Sequence, residues 1–344
     1  LKKKICLMRL SAIGDVCHAA ALVHRIKTHW PEAELTWVIG KIEYQLMKTL
    51  PDVRFIVFDK KQGKQAVADL KAAVQGEQFD ALLMMQVAMR ANLASRVIKA
   101  KQRIGFDWAR SKELHWLFAN KRVKAHEHAH VLDGFMDFGD ALGLPEDPKP
   151  QWNIPVPDSS QRYASALAEE MGRFAVISPA ASKEERNWLP ERYAEAAEYL
   201  KSKGLAVVLC GGPGPVDRKL ADAIKSHTDA ISKDIVGETS LHDMLMVLKQ
   251  AELVIAPDTG PAHMATTVGT PVIGLYAHSN PRRTGPYNSL EFVVSVYDEC
   301  IKEQTGKSWK QLPWGKRAKG TSLMSRINTN AVTEMINRVL TDTK

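Results

Sequence analysis

Cysteine is scarce and poorly placed for chemistry, with four thiols in 344 residues, at Cys6, Cys17, Cys210 and Cys300, and no C-x-x-C pair. That spacing excludes a zinc cage and a disulfide framework and suits a reducing cytoplasm. Nowhere does an apolar run approach the roughly 18 to 20 residues of a membrane-spanning helix. Residues 1–10 begin basic, but their apolar run is one strand long and Arg9 interrupts it, so a secretory signal is not expected. G-x-G-x-x-G is missing, which speaks against a bound nicotinamide cofactor and so against a sugar-nucleotide epimerase. Zinc-finger spacing and aromatic ribonucleoprotein motifs are missing too, and nucleic acid is not an expected partner.

What is present is the composition of a folded globular chain, 45% hydrophobic and 25% charged. The length exceeds what one core usually serves, so two domains are expected. A net charge of +8 favours an anionic partner, either nucleotide phosphate or an acidic membrane surface.

Short strand-like runs at residues 4–10, 34–39, 53–58 and 79–85 alternate with amphipathic helical stretches, a pattern that predicts a parallel α/β sheet. Between residues 144 and 157 five prolines disfavour helix and mark a connector. The pattern then restarts, with strands at 174–178, 206–210, 253–257 and 271–276 and helices at 190–203, 215–227 and 241–250. Val332, Met335, Ile336 and Val339 recur at helical spacing near the C-terminus. Residues 297–325 carry no clear pattern and are expected to form a mobile loop.

In open α/β sheets ligands collect beyond the carboxyl ends of strands, so the strand-end loops carry the candidates. After the first strand comes R-L-S-A-I-G-D-V-C-H, in which Gly14 permits a tight turn and Asp15 lies near a helix N-terminus, as a cap or as a general base. A-P-D-T-G-P-A-H offers Asp258, Thr259, Gly260 and His263 around a helix start whose backbone N–H groups suit a diphosphate. S-P-A-A-S-K-E-E-R-N-W-L-P presents Ser182, Lys183 and Arg186, as phosphate ligands or as a solvated loop, with Trp188 and Pro190 opening the next helix. In C-G-G-P-G-P, Gly211 and Gly212 let a planar base or another backbone approach, or simply make a turn. His126, His128, His130 and Asp133 are a weak zinc candidate, and Arg103, Arg110, Lys112, Lys121, Arg122 and Lys124 form a basic run, either solvated or facing an anionic acceptor.

Together, the G-D after strand one, N-W-L-P-E-R-Y, C-G-G-P-G-P and D-T-G-P-A-H followed by G-T-P-V-I-G-L-Y resemble glycosyltransferase family 9 across nearly the whole chain. I-G-F-D-W-A-R-S-K-E-L, residues 104–114, is most similar to the type I lipopolysaccharide heptosyltransferases. The resemblance implies a GT-B fold, two Rossmann-like α/β domains with parallel sheets facing a central cleft. Residues 1–155 would bind the acceptor, 156–325 the nucleotide-sugar, and 326–344 would return as a helix to the first domain.

The resemblance further implies inverting transfer of heptose from ADP-heptose to Kdo–lipid A, without metal or cofactor. Asp15 would be the base. Ser182, Lys183, Arg186, Gly211, Gly212, Asp258, Thr259, Gly260 and His263 would hold the donor, while Ser11, Gly14, His18, Arg110 and Lys112 would meet the acceptor. Where the family often has Lys in the basic loop the nearest match is Arg186, which leaves Lys183 and Arg186 both standing as the phosphate contact. The absence of a D-x-D motif at a strand end agrees with metal independence. A monomer touching the cytoplasmic face of the inner membrane peripherally is expected. The alternatives are a type II enzyme using a heptosylated acceptor, and a nucleotide-sugar or anionic-lipid binding module that transfers nothing.

Overall fold

Hydrophobic β-branched runs bounded by helix starts build two parallel sheets. A computed structural model describes residues 2–342 and divides the chain into two units, Leu1–Pro155 and Val156–Lys344.

The first unit holds β1 (Lys4–Met8), β2 (Glu34–Gly40), β3 (Val53–Phe58), β4 (Phe79–Met84), β5 (Ala100–Gly105) and β6 (Lys121–Arg122), in spatial order β3-β2-β1-β4-β5-β6. β1 lies parallel between β2 and β4, and its Cys6, Leu7 and Met8 are buried because helices cover both faces. Helix Ile13–His29 packs on helix Val131–Leu142, with Arg25 buried in their contact, donating to Met136 O, Leu144 O and Pro145 O and pairing with Asp140. The proline-rich segment is tied to this unit by Trp152, whose indole N–H donates to Cys17 O at 2.8 Å.

The second unit repeats the arrangement with β7 (Phe174–Ile177), β8 (Ala206–Leu209), β9 (Lys233–Asp234), β10 (Val254–Pro257), β11 (Val272–Tyr276) and β12 (Val294–Ser295), ordered β12-β11-β10-β7-β8-β9. Read from the other edge this is the same winding. In each sheet the order reverses direction at one place, between β1 and β4 in the first and between β7 and β10 in the second. Crevices outside the carboxyl ends of such strands are where open α/β folds bind ligands.

One expectation is corrected here. Residues 297–325 are not a loose loop: Tyr297–Thr305 is helical, and Tyr297, Cys300, Ile301, Ala318, Leu323 and Met324 are buried in the core of the second unit. The chain there is rich in Lys and Gly, and its few apolar residues are too widely spaced to show a period. The C-terminal helix, Thr329–Asp342, buries Val332, Ile336 and Val339 in that same core, against helix Pro190–Ser202 and strands β11 and β12. Its apolar stripe thus lies inside the second unit.

Candidate active site

At the first switch point the loop after β1 is fixed by groups from its neighbours. Gln86, just beyond β4, accepts from Leu10 N at 2.8 Å and Ser11 N at 3.3 Å. The Trp37 indole donates to Arg9 O, and Gly40 N donates to Leu10 O at 2.9 Å. A Cβ on Gly40 would run into that same Leu10 carbonyl, so the close approach of β2 to the loop requires glycine.

The loop delivers Asp15 to the third position of helix Ile13–His29, where one carboxylate oxygen accepts from Ala12 N at 3.1 Å and from Arg9 Nη2 at 2.5 Å. Arg9 is itself held, donating to Met85 O at 2.6 Å with its guanidinium over the Phe135 ring. Asp15 is therefore not the N-cap residue, which is Ala12, but closes the helix start from its third position by accepting from the Ala12 amide. It also keeps 31% of its side chain exposed, so the carboxylate is open to solvent. Ser11 is half-buried beside it.

Three acceptor candidates are placed differently from expectation. Gly14 is the second residue of the helix and buried, not the pivot of a turn. His18 is buried one turn further, edge-on to His130 and Phe135, because the helix turns that face into the core. Arg110 is paired internally with Asp107, with Asp137 at 2.9 Å and with Lys124 O at 2.8 Å, and only its Nη1 makes no hydrogen bond. Lys112 is exposed. The basic run is similarly divided, since the Arg103 guanidinium is satisfied by Ser95, Ile98 O and Phe118 O. His130 caps helix Val131–Leu142 through Nδ1, and among the described residues no group of three His, Cys, Asp or Glu could hold a metal ion.

At the second switch point, the loops after β7 and β10 meet. Arg186 Nη1 lies 3.8 Å from Asp258 Oδ2, and His263 Nε2 lies 3.8 Å from Asp258 Oδ1. Both separations exceed hydrogen-bond length, yet the Arg186–Asp258 charges still interact strongly because both side chains are largely buried, and His263 is buried beside them. Burial alone would raise the Asp258 pKa, but His263, Ser279 and Arg186 outweigh it and hold the carboxyl below the usual carboxylate value. Thr259 occupies the cap position of helix Gly260–Thr267, yet its hydroxyl makes no cap bond and is buried without a hydrogen-bond partner. Gly260 and Pro261 open the helix, leaving its first backbone N–H groups directed outward. Ser182 and Lys183 are exposed on the same loop as Arg186, so of the two cations only Arg186 reaches Asp258.

Gly211 and Gly212 already have an occupant. Asp217, in the first turn of helix Pro215–His227, accepts from Gly212 N at 2.9 Å, and a Cβ on Gly211 would lie 3.0 Å from its carboxylate. Burial pushes the Asp217 carboxyl up, against the opposing pull of these amides. The glycines thus admit a side chain of their own loop. Sequence reasoning missed Asp217 in this role, and missed Arg9 and Gln86, whose only signal was their place at the ends of β1 and β4.

The profile of glycosyltransferase family 9 (heptosyltransferase) matches residues 67–314. A lipopolysaccharide core heptosyltransferase of Haemophilus influenzae is 42% identical, over 96% of this chain and 95% of that protein. Lipopolysaccharide heptosyltransferase 1 of Escherichia coli is 23% identical, over 90% and 96%. The crystal structure of the Escherichia coli heptosyltransferase WaaC with ADP superposes with a TM-score of 0.76 at 20% identity, covering 98% of this chain and 99% of that one. Two parallel sheets wound in the same order, with this likeness, give the GT-B fold, and the family profile with the 42% identical relative makes the chain a glycosyltransferase. The chain belongs to glycosyltransferase family 9, the heptosyltransferase family.

Proposed function

We propose that this chain transfers heptose from ADP-heptose to Kdo–lipid A during lipopolysaccharide inner-core synthesis, with inversion and without a metal. One observation carries the chemistry: at the second switch point a buried unpartnered hydroxyl, Thr259 Oγ1, lies at a helix N-terminus whose preceding residue, Asp258, is paired with Arg186 and His263. Such a cluster suits a diphosphate, which would satisfy the hydroxyl and the free helix amides together. Support for the heptose and the acceptor comes from residues 104–114 and from the names borne by the relatives.

In this reading Asp15 takes the proton of the acceptor hydroxyl as its oxygen bonds to the anomeric carbon. The bond from that carbon to the diphosphate breaks, and the charge left on ADP is met by Arg186, Thr259 and the helix amides. Arg9 orients the base, and Lys112 remains exposed for the anionic acceptor. Because that acceptor is lipid-linked, the enzyme would act as a monomer in peripheral contact with the cytoplasmic face of the inner membrane. Among the described residues no helix is long and apolar enough to cross a membrane.

Incubation with ADP-heptose and either Kdo–lipid A or its monoheptosylated product, read by mass spectrometry, tests the assignment. A single heptose added to Kdo–lipid A alone is expected. Addition only to the heptosylated acceptor would move the enzyme to the later step, and no addition to either would leave a binding module.

A further inference from the structure

Nine large hydrophobic side chains are exposed among the described residues, and four of them fall between Trp108 and Leu117. Trp108 is 62% exposed, Leu114 51%, Trp116 38% and Leu117 58%. The two indoles lie 5.5 Å apart, and the Arg122 guanidinium sits 4.1 Å from the Trp108 ring centre.

The segment is held firmly in this outward pose. His115, fully buried, meets Asn92 Oδ1 at 2.7 Å through Nδ1 and accepts from Phe106 N through Nε2. Asn92 in turn donates to Glu113 O. Glu113 and Leu114 both adopt left-handed backbone, with φ of 51° and 58°, which side chains other than glycine rarely accept. The fold thus accepts local strain in the segment that presents these apolar groups.

Between residues 107 and 124 there are five basic side chains, Arg110, Lys112, Lys121, Arg122 and Lys124, against two acidic ones. Asp107 is neutralised by Arg110, while the Glu113 carboxylate accepts from the Met89 amide and keeps its charge. With Arg110 paired to Asp107 and Asp137, four cations stand against one carboxylate, so the aromatic and aliphatic surface lies in a segment of net positive charge, with Arg122 against Trp108.

We infer that the Trp108–Leu117 surface is the element by which this protein docks on an anionic lipid bilayer. The inference rests on the lipid-linked acceptor proposed above and names the surface that reading requires. Indole rings favour the headgroup region, and Lys and Arg draw the protein to acidic headgroups. A second protein chain is the poorer occupant. Two Trp and two Leu, partly covered already, offer roughly 400 Å², whereas a stable interface buries about 800 Å² per partner. The same area is ample for reversible adsorption, where a modest apolar insertion and a net positive charge act together.

Co-sedimentation with mixed phosphatidylethanolamine–phosphatidylglycerol vesicles and with pure phosphatidylcholine vesicles tests this. The wild-type protein should pellet with the anionic vesicles only. Trp108→Ala/Trp116→Ala/Leu117→Ala, and separately Leu117→Glu, should weaken partitioning by about tenfold or more while keeping the wild-type melting temperature and ADP affinity. Brominated acyl chains should quench wild-type tryptophan emission, a readout that needs no substitution. If the wild type pellets and both variants pellet equally, the surface assignment is overturned and the membrane reading survives. If the wild type pellets with neither vesicle, both fall. A wild-type dimer in sedimentation velocity that the variants dissociate would reassign the surface to a contact between copies.

Discussion

Arg9 and Asp15 meet at 2.5 Å across the loop that joins β1 to its helix, and Arg9 is anchored from behind by Met85 O. The guanidinium fixes the direction of the carboxylate without covering it. Replacing Arg9 with Gln should leave Asp15 in place but free to rotate, lowering kcat by about tenfold to a hundredfold. ADP affinity, measured by calorimetry, should not change, because neither Arg9 nor Asp15 is among the proposed donor contacts.

Arg186 and Lys183 share a loop, and only Arg186 pairs with Asp258. Arg186→Ala should weaken ADP binding by about tenfold, the loss of one charge-assisted contact to phosphate. Lys183→Ala, at a solvated position, should change it by less than about threefold. Equal losses would show that both cations reach the diphosphate.

His115 gives a pH signature. Burial pushes its pKa from 6.5 down to about 4, so the folded protein holds the ring neutral while the unfolded chain protonates it below 6.5. The stabilisation is complete above pH 6.5, declines as pH falls, and is exhausted near pH 4, for a loss of at most about 3 kcal/mol. Denaturant titrations across that window should show the decline, and His115→Gln should flatten it.

Trp188 was legible as the start of a helix and proves to be a core anchor. Its ring is buried among residues of the second unit's core, and its N–H donates to Ile327 O at 2.9 Å. Trp188→Ala should cost about 3–5 kcal/mol of stability. Trp188→Phe, which keeps a ring and loses the bond, should cost about 1 kcal/mol. Chemical denaturation distinguishes the two.

The strands that flank the switch points were plain in the sequence because they are continuous apolar runs, such as Ile5–Met8 and Val254–Ala256, and Pro190, Pro215 and Pro261 announced their helices. Short edge strands such as Lys121–Arg122 and Lys233–Asp234 were not visible, being two residues long and polar. Helix Asp158–Met171 was overlooked beside the proline run. At the site, Asp258 and Thr259 could be found from the loop they sit in. That Arg110 and His18 turn inward depends on partners distant in the chain, Asp137 and Phe135, which no local pattern names, whereas Asp217 fills the glycine loop through Gly212, only five residues away.

The account stands on Asp15 as the proton acceptor, and single-turnover kinetics of Asp15→Asn with ADP-heptose and Kdo–lipid A test it most directly. Heptose transfer should slow by about a hundredfold to ten-thousandfold while ADP affinity and melting temperature stay at wild-type values. Transfer at near wild-type speed would contradict it.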